Sequence, residues 1–214
     1  MKKSVRVWDL PTRLFHGLLF LCVCAAVITA YIGGNAMAWH LRLGETVLAL
    51  LMFRLVWGFI GGHWSRFGSF VFGPRTLWRY LRDGGESVGH SPLGALAVWA
   101  MLAWLVLQVG TGLASDDQIA TTGPLASKVS EAVSERASGW HSGPGPWGLY
   151  ALVALHVLAI AVYALRKRNL LTPMISGDKP GLPEGTPASR DSLATRLLAL
   201  AVFAICAAFA YNLG

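Results

Sequence analysis

Long runs of uncharged, mostly apolar residues alternate with short charged stretches along the whole chain. Unbroken runs cover residues 14–32, 93–113, 146–165 and 197–213, and a fifth, 43–60, is interrupted only by Glu45 and Arg54. A helix needs about 20 predominantly apolar residues to cross the hydrocarbon core of a bilayer. None of these runs alternates with the period of two that a half-buried strand requires. The pattern therefore predicts an all-α membrane protein, a four-helix transmembrane bundle with an additional fifth C-terminal transmembrane helix. The remaining residues are loops and leave no room for a separate soluble domain.

Punctuation along the chain agrees with this division. Asp9 or Thr12 can cap the first helix, with Pro11 in its first turn. The connection around Gly33-Gly34-Asn35 is short, so spans one and two should be antiparallel neighbours. Gly61-Gly62 closes span two. A basic, amphipathic stretch follows, with Phe67, Phe70, Phe72, Leu77, Trp78 and Tyr80 among arginines; it suits either a segment lying in the headgroup layer or an ordinary loop. Residues 114–145 form the longest outer loop, mildly acidic, with a short helix expected over 127–137. After span four, residues 177–187 read Gly-Asp-Lys-Pro-Gly-Leu-Pro-Glu-Gly-Thr-Pro, the composition of a linker. The expected organisation is a four-helix part over 1–175, a Gly/Pro linker over 176–192 and a C-terminal transmembrane helix over 193–214.

Composition sharpens the picture. Of 214 residues 54% are apolar and only 14% charged, well below the quarter usual in soluble domains. The formal net charge of +7 might point to nucleic acid, but its distribution does not. Fourteen basic residues precede span one or lie in the connections 2–3 and 4–5, whereas the opposite connections hold only Arg42, Lys128 and Arg136. The positive-inside rule then puts the N-terminus in the cytoplasm and the C-terminus in the periplasm of a bacterial inner membrane, with no nucleic-acid partner. Ala36-Met37-Ala38 imitates a signal-peptide cleavage site, yet the nineteen-residue run before it exceeds the 7–15 residues of a signal core, so the segment is expected to be retained. Cys22, Cys24 and Cys206 all fall in apolar runs, and no Cys-x-x-Cys-His is present for covalent haem attachment.

All six histidines belong to the four-span part. Ionisable side chains inside a bilayer are costly and mark function. His16 stands near the cytoplasmic end of span one, and His156 about ten residues from the basic end of span four. His40 opens span two from the other side, and His141 precedes span four there. Two pairs of neutral imidazoles at two depths are what two stacked haems need, each iron taking one ligand from each of two helices. The fifteen residues from His141 to His156 would rise about 22 Å in a straight helix. Arg54, inside span two, requires an anionic partner such as a haem propionate, or snorkels to the headgroups. His90, just before span three, reads as a quinone-site residue, an alternative ligand to the inner haem, or an interfacial histidine. Gly17, Gly44, Gly94, Gly110 and Gly112 allow close approach of helices or of a flat macrocycle. Zinc-protease, Walker and nucleophile-elbow motifs are missing from the sequence.

The segments WDLPTRLFH at span one, WHLRLGETVLALLMFRLVWG in span two, HSPLGALAVWAMLAWLVLQVGTGL in span three and ALVALHVLAIAVY in span four, followed by MISGDK, resemble the bacterial cytochrome b561 family. That group includes the b-type subunits of nickel-iron hydrogenases, and the resemblance covers about residues 5–180. It implies a four-helix bundle with two b haems, the inner one held by His16 and His156 and the outer one by His40 and His141. The family pattern has a His-Glu pair fourteen residues before the last ligand; here His141-Ser142 stands at fifteen, followed by Gly-Pro-Gly-Pro. The implied activity is electron exchange between quinone and a periplasmic electron-transfer protein, such as a c-type cytochrome or a hydrogenase-like enzyme. The chain would act as an electron-transfer protein or as the membrane subunit of an oxidoreductase. A stand-alone superoxide or quinone oxidoreductase and a haem-free membrane anchor are the alternatives. The fifth span is a candidate contact for a partner or for a second copy of the chain in a homodimer.

Overall fold

The computed structural model describes residues 3–213; Lys2, counted among the basic N-terminal residues, lies outside them. The chain is helical, with β1 (Lys3–Arg6) and β2 (Asp178–Leu182) as its only strands among the described residues. The helices are α1 (Leu10–Ile32), α2 (Met37–Ile60), α3 (Pro74–Asp83), α4 (Pro92–Leu113), α5 (Glu131–Ser142), α6 (Pro144–Leu165), α7 (Leu171–Ser176) and α8 (Leu193–Tyr211). Five are long and apolar enough to cross a membrane, α5 and α6 together counting as one crossing. Their surfaces say the same: α1 fully buries only Pro11, Thr12 and Phe15, and apolar side chains such as Leu14, Leu18, Phe20, Leu21 and Ile28 lie exposed. Such a surface is stable against lipid and not against water.

Two compact units make up the chain, each built from pieces of all five long helices. The first takes residues up to Phe15, then Arg54–Ala100 and Ala154–Ala201. In it β1 pairs antiparallel with β2, setting Val5 opposite Lys179 and Arg6 opposite Asp178. Val5, Val7, Trp8 and Leu182 form a small core with Trp64, Val88 and Met174 packed on it. The stretch 176–192, whose composition reads as a linker, is thus tied down. Its Ser189 N–H donates to the Arg6 carbonyl at 2.8 Å, and its Oγ donates to the Val7 carbonyl at 2.6 Å. Gly177, at φ 90°, accepts from the Val7 N–H at 2.8 Å, and a Cβ there would meet the Trp8 carbonyl oxygen at 2.6 Å. Only glycine fits on both counts. Arg6 donates to Asp178 at 2.6 Å and to Asp191, and Arg196 reaches Asp191 at 2.9 Å. Both carboxyls are drawn below their usual range, Asp178 chiefly by the Arg6 bond and Asp191 by its arginine bonds acting against burial.

The second unit takes His16–Phe53, Met101–Val153 and residues from Val202 on. Its core is Val47, Leu51, Leu105 and Leu149, with Leu19, Val23 and Leu102 packed against it. α8 packs on α2 here: the Phe203 and Phe53 rings meet edge to face at 6.2 Å, and the Tyr211 and Thr46 hydroxyls share a hydrogen bond of 2.6 Å. The short helix expected over 127–137 forms as α5, displaced to Glu131–Ser142. Gly143, with φ −96° and ψ −106°, separates it from α6. The rise computed for a straight helix from His141 to His156 therefore does not apply, because Gly-Pro-Gly-Pro breaks the helix between them.

Candidate functional site

Within the second unit, His40 on α2 and His141 on α5 come together with ring centroids 5.9 Å apart and planes crossed at 73°. Each ring is fixed through Nδ1. His40 Nδ1–H donates to the Ala26 carbonyl of α1 at 2.9 Å, and His141 Nδ1–H donates to the Gln108 carbonyl of α4 at 2.8 Å. A carbonyl only accepts, so both rings carry their proton on Nδ1 and leave the Nε2 lone pair available. Gln108 also returns a bond, its Nε2 donating to the His141 carbonyl at 2.9 Å. Ala26 and Gln108 can offer carbonyls although both are helical. A carbonyl oxygen has two lone pairs to share, and each of these also accepts from a threonine hydroxyl of its own helix, Ala26 from Thr29 and Gln108 from Thr111, at 3.0 Å.

The two histidines border a cavity of about 550 Å³ whose walls include Ala26, Gly44, Gly112 and Tyr150. That volume lies in the range of small-molecule and cofactor sites. Gly112 is required at its position: a Cβ there would lie 2.6 Å from His141 Cε1. At Gly44 a Cβ would meet nothing within 4 Å, so the glycine leaves open space beside His40. Nearby, Trp104 Nε1 donates to the Gly145 carbonyl at 2.8 Å, and Gly148 leaves room for the Trp104 ring. These contacts seat the start of α6 against α4 and hold the α5–α6 break beside the histidines.

The first unit holds the other candidate residues. Arg54 is buried, 4% exposed, with its guanidinium carbon 4.8 Å from the Phe67 ring centroid and 5.8 Å from that of Phe70. Its Nη1 has no hydrogen-bond partner among the described residues. The expectation that Arg54 snorkels to the headgroups fails, because it lies under Phe67 and Phe70 rather than at the surface. These two phenylalanines are themselves turned inward by the short 3₁₀ turns His63–Ser65 and Phe67–Ser69. Of the basic aromatic stretch, only its latter half remains at the surface. His90 packs on Trp8 at 4.8 Å and on Phe70 at 4.5 Å, with Nδ1 buried and without a partner. Burial, helped by the Arg54 charge, pushes its pKa down to about 3, so the ring is neutral throughout the physiological range. His63 is exposed and meets Trp64.

His16 lies exposed on α1 and belongs to the second unit; His156 lies half-buried on α6 and belongs to the first. Their pairing rests on the sequence resemblance. Sequence reasoning saw Asp9 only as a helix cap, and it is much more. Its fully buried carboxylate caps α1 through the Thr12 N–H at 2.8 Å. It also accepts from Trp57 Nε1 at 3.1 Å, the Gly62 N–H at 3.1 Å and the Ser65 hydroxyl at 2.6 Å. Gly62 must be glycine, because a Cβ would collide with Asp9 Oδ2. The WDLPTRLFH and MISGDK segments thus meet in one place, joined to the end of α2.

Among the described residues no group of three or more His, Cys, Asp and Glu could hold a bare metal ion. A pair of imidazoles suffices when a macrocycle supplies the other ligands. The nearness of His40 and His141, their rings anchored through Nδ1 and the adjoining cavity would suit a haem held by these two histidines.

A multi-pass helical membrane protein with such a pair is, as a class, a membrane b-type cytochrome. The chain belongs to the prokaryotic cytochrome b561 family, whose model matches residues 7–177. It is similar to the probable Ni/Fe-hydrogenase B-type cytochrome subunit of Bradyrhizobium diazoefficiens, 20% identical over 83% of this chain and 87% of that protein. The probable Ni/Fe-hydrogenase 1 B-type cytochrome subunit of Escherichia coli K12 is 23% identical over 80% of this chain and 88% of its own. The corresponding Azotobacter vinelandii subunit is 25% identical over 81% and 88%. No solved structure matches. Membership makes haem b the implied cofactor and membrane electron transfer the implied role.

Proposed function

We propose that this chain is a dihaem b-type cytochrome of the bacterial inner membrane that passes single electrons between the quinone pool and a redox partner at the periplasmic face. The observation that carries the reading is the His40–His141 pair, anchored through Nδ1 and bordering a cavity of about 550 Å³. Haem b supplies the one-electron iron couple when bound. The chain orients its ligands and sets their surroundings. The Ala26 and Gln108 carbonyls fix the imidazole tautomers and raise the basicity of Nε2. Gly44 and Gly112 give the space, and the mostly apolar walls limit water and so set the local dielectric.

The inner haem is assigned to His16 and His156 by the family resemblance. Arg54 suits a propionate partner, since a buried guanidinium with an unpaired Nη1 needs an anion. Neutral, partly buried His90 suits the quinone-side residue. The haem-bearing part is residues 1–175, with 176–192 leading to the additional helix in 193–214. Fourteen basic residues precede span one or lie in the connections 2–3 and 4–5, against three in the opposite connections, which favours a cytoplasmic N-terminus. The names of the relatives make a hydrogenase-like enzyme a natural partner.

The test is the dithionite-reduced minus oxidised spectrum of the purified chain, with haem and protein quantified together. About two haems per chain is the expected outcome. About one, persisting in His156→Ala and lost in His141→Ala, would keep the outer site and remove the inner. None, from cells supplied with haem, would leave a membrane anchor as the function.

A further inference from the structure

The exposed face of α3 is a site of its own. α3 lies in the connection between α2 and α4, hence at the membrane face where one ends and the other begins. Leu77 and Tyr80 turn inward, and the Tyr80 hydroxyl shares a hydrogen bond of 2.7 Å with that of Tyr163 on α6, fixing the helix's rotation. The opposite side presents Arg75, Trp78, Arg79 and Arg82 at spacings of three and four residues, so they share one face. Together with Pro74 they line a shallow groove. Arg82 is bound to Asp83 at 2.7 and 3.0 Å, whereas Arg75 and Arg79 form no salt bridge among the described residues, the Arg79 charge acting on Asp83 only from further off. Trp78 is 69% and Leu81 55% exposed, an apolar edge beside the arginines.

We propose that this face of α3 binds the phosphate headgroup of an anionic phospholipid. The Arg75 and Arg79 guanidiniums, flanked by Arg82, grip the phosphodiester oxygens, which guanidinium forks fit in bidentate fashion. Trp78 and Leu81 enter the interfacial layer beside the acyl chains, where amphipathic aromatic rings partition. An exposed tryptophan and leucine beside arginines suit the interfacial layer of a membrane. Charge and apolarity on one narrow face of a fixed helix match a headgroup and its chain ends together. The Asp83 carboxylate limits the share Arg82 contributes, so Arg75 and Arg79 carry the site.

The experiment titrates the detergent-purified full chain with phosphatidylglycerol and, separately, phosphatidylcholine, reading bound lipid by native mass spectrometry. The chain should retain phosphatidylglycerol in preference, and R75Q/R79Q should weaken it by about fivefold per arginine, about twentyfold together. R75K/R79K should lose part of the preference but less than R75Q/R79Q, because lysine binds phosphate as a point charge without the bidentate fork. W78A should weaken both lipids while leaving the preference. The control R190Q, in the connection between α7 and α8 rather than on α3, should change nothing. Elution volume and haem content report that each variant is folded, as expected for exposed positions. An undiminished preference in R75Q/R79Q overturns the proposal, as does a lysine variant that loses as much as the glutamine one. Inorganic phosphate that displaces the lipid at equal concentration would make this a plain anion site and overturn it as well.

Discussion

The Asp9 carboxylate and the His40–His141 pair are both polar groups set among apolar residues, and their hydrogen bonding differs in kind. Asp9 accepts from four donors and has nothing left to offer a ligand. Each histidine spends one nitrogen on a backbone carbonyl and borders a cavity. A buried polar group whose capacity is filled by the chain is holding the structure together. One left half-filled beside open space is prepared for a partner, since an unmet buried polar atom is otherwise costly. By the same measure Arg54 Nη1 and His90 Nδ1 fall with the histidines, and Asp9 falls with the scaffold.

Four experiments probe that contrast. The largest effect belongs to His141→Ala or His40→Ala, each of which should remove one haem from the purified chain while leaving its elution as a folded species unchanged; retention of all haem in both would end the ligand assignment. Asp9→Ala should do the reverse. It strands four buried donors, costs about 3 kcal/mol or more in stability, and should lower the thermal transition of the detergent-solubilised chain before it alters the spectrum of what remains folded. A wild-type transition in that variant would mean that the carboxylate is dispensable to the fold.

Gly112→Ala is a smaller change to the first side of the comparison. Its Cβ meets the His141 ring, and displacing a packed ring costs about 1–3 kcal/mol, so haem at this site should be retained less firmly on dilution. An alanine variant that holds haem as tightly as the parent would show that the ring has slack. The smallest effect concerns pH. Burial keeps the His90 pKa down at about 3, below the value of about 6.5 in an unfolded chain. Between these values the unfolded chain binds a proton that the folded one does not. Stability therefore falls as pH drops below about 6.5, by about 2 kcal/mol at pH 5 from this residue. His90→Phe should flatten the difference between transitions measured at pH 7.5 and pH 5; an equal loss in both proteins would place the acid sensitivity elsewhere.

Reading the chain in order found the crossings because a bilayer imposes its demand locally. Any helix in lipid must be apolar over its whole length, whatever its neighbours. The histidines were legible for the related reason that an imidazole in such a run stands out. Gly112 was visible as a small residue, but not its contact with His141. Asp9 showed itself only as a cap, since the donors from Trp57, Gly62 and Ser65 come from residues some fifty positions away. The segment 176–192 read as a linker because Gly and Pro are counted without regard to partners, whereas its pairing with β1 spans more than 170 residues.

The sequence by itself determined that this is a helical membrane protein of the b561 kind, with a fifth helix and histidines in its spans, because hydrophobic length and side-chain type are properties of each segment. Tertiary structure alone decided which polar groups are satisfied and which are left with a free lone pair. That choice depends on backbone carbonyls at Ala26 and Gln108, on a break at Gly143 and on the inward turn of Phe67 and Phe70. A hydrogen bond exists only where two distant groups are brought within about 3 Å, and no local pattern encodes that approach.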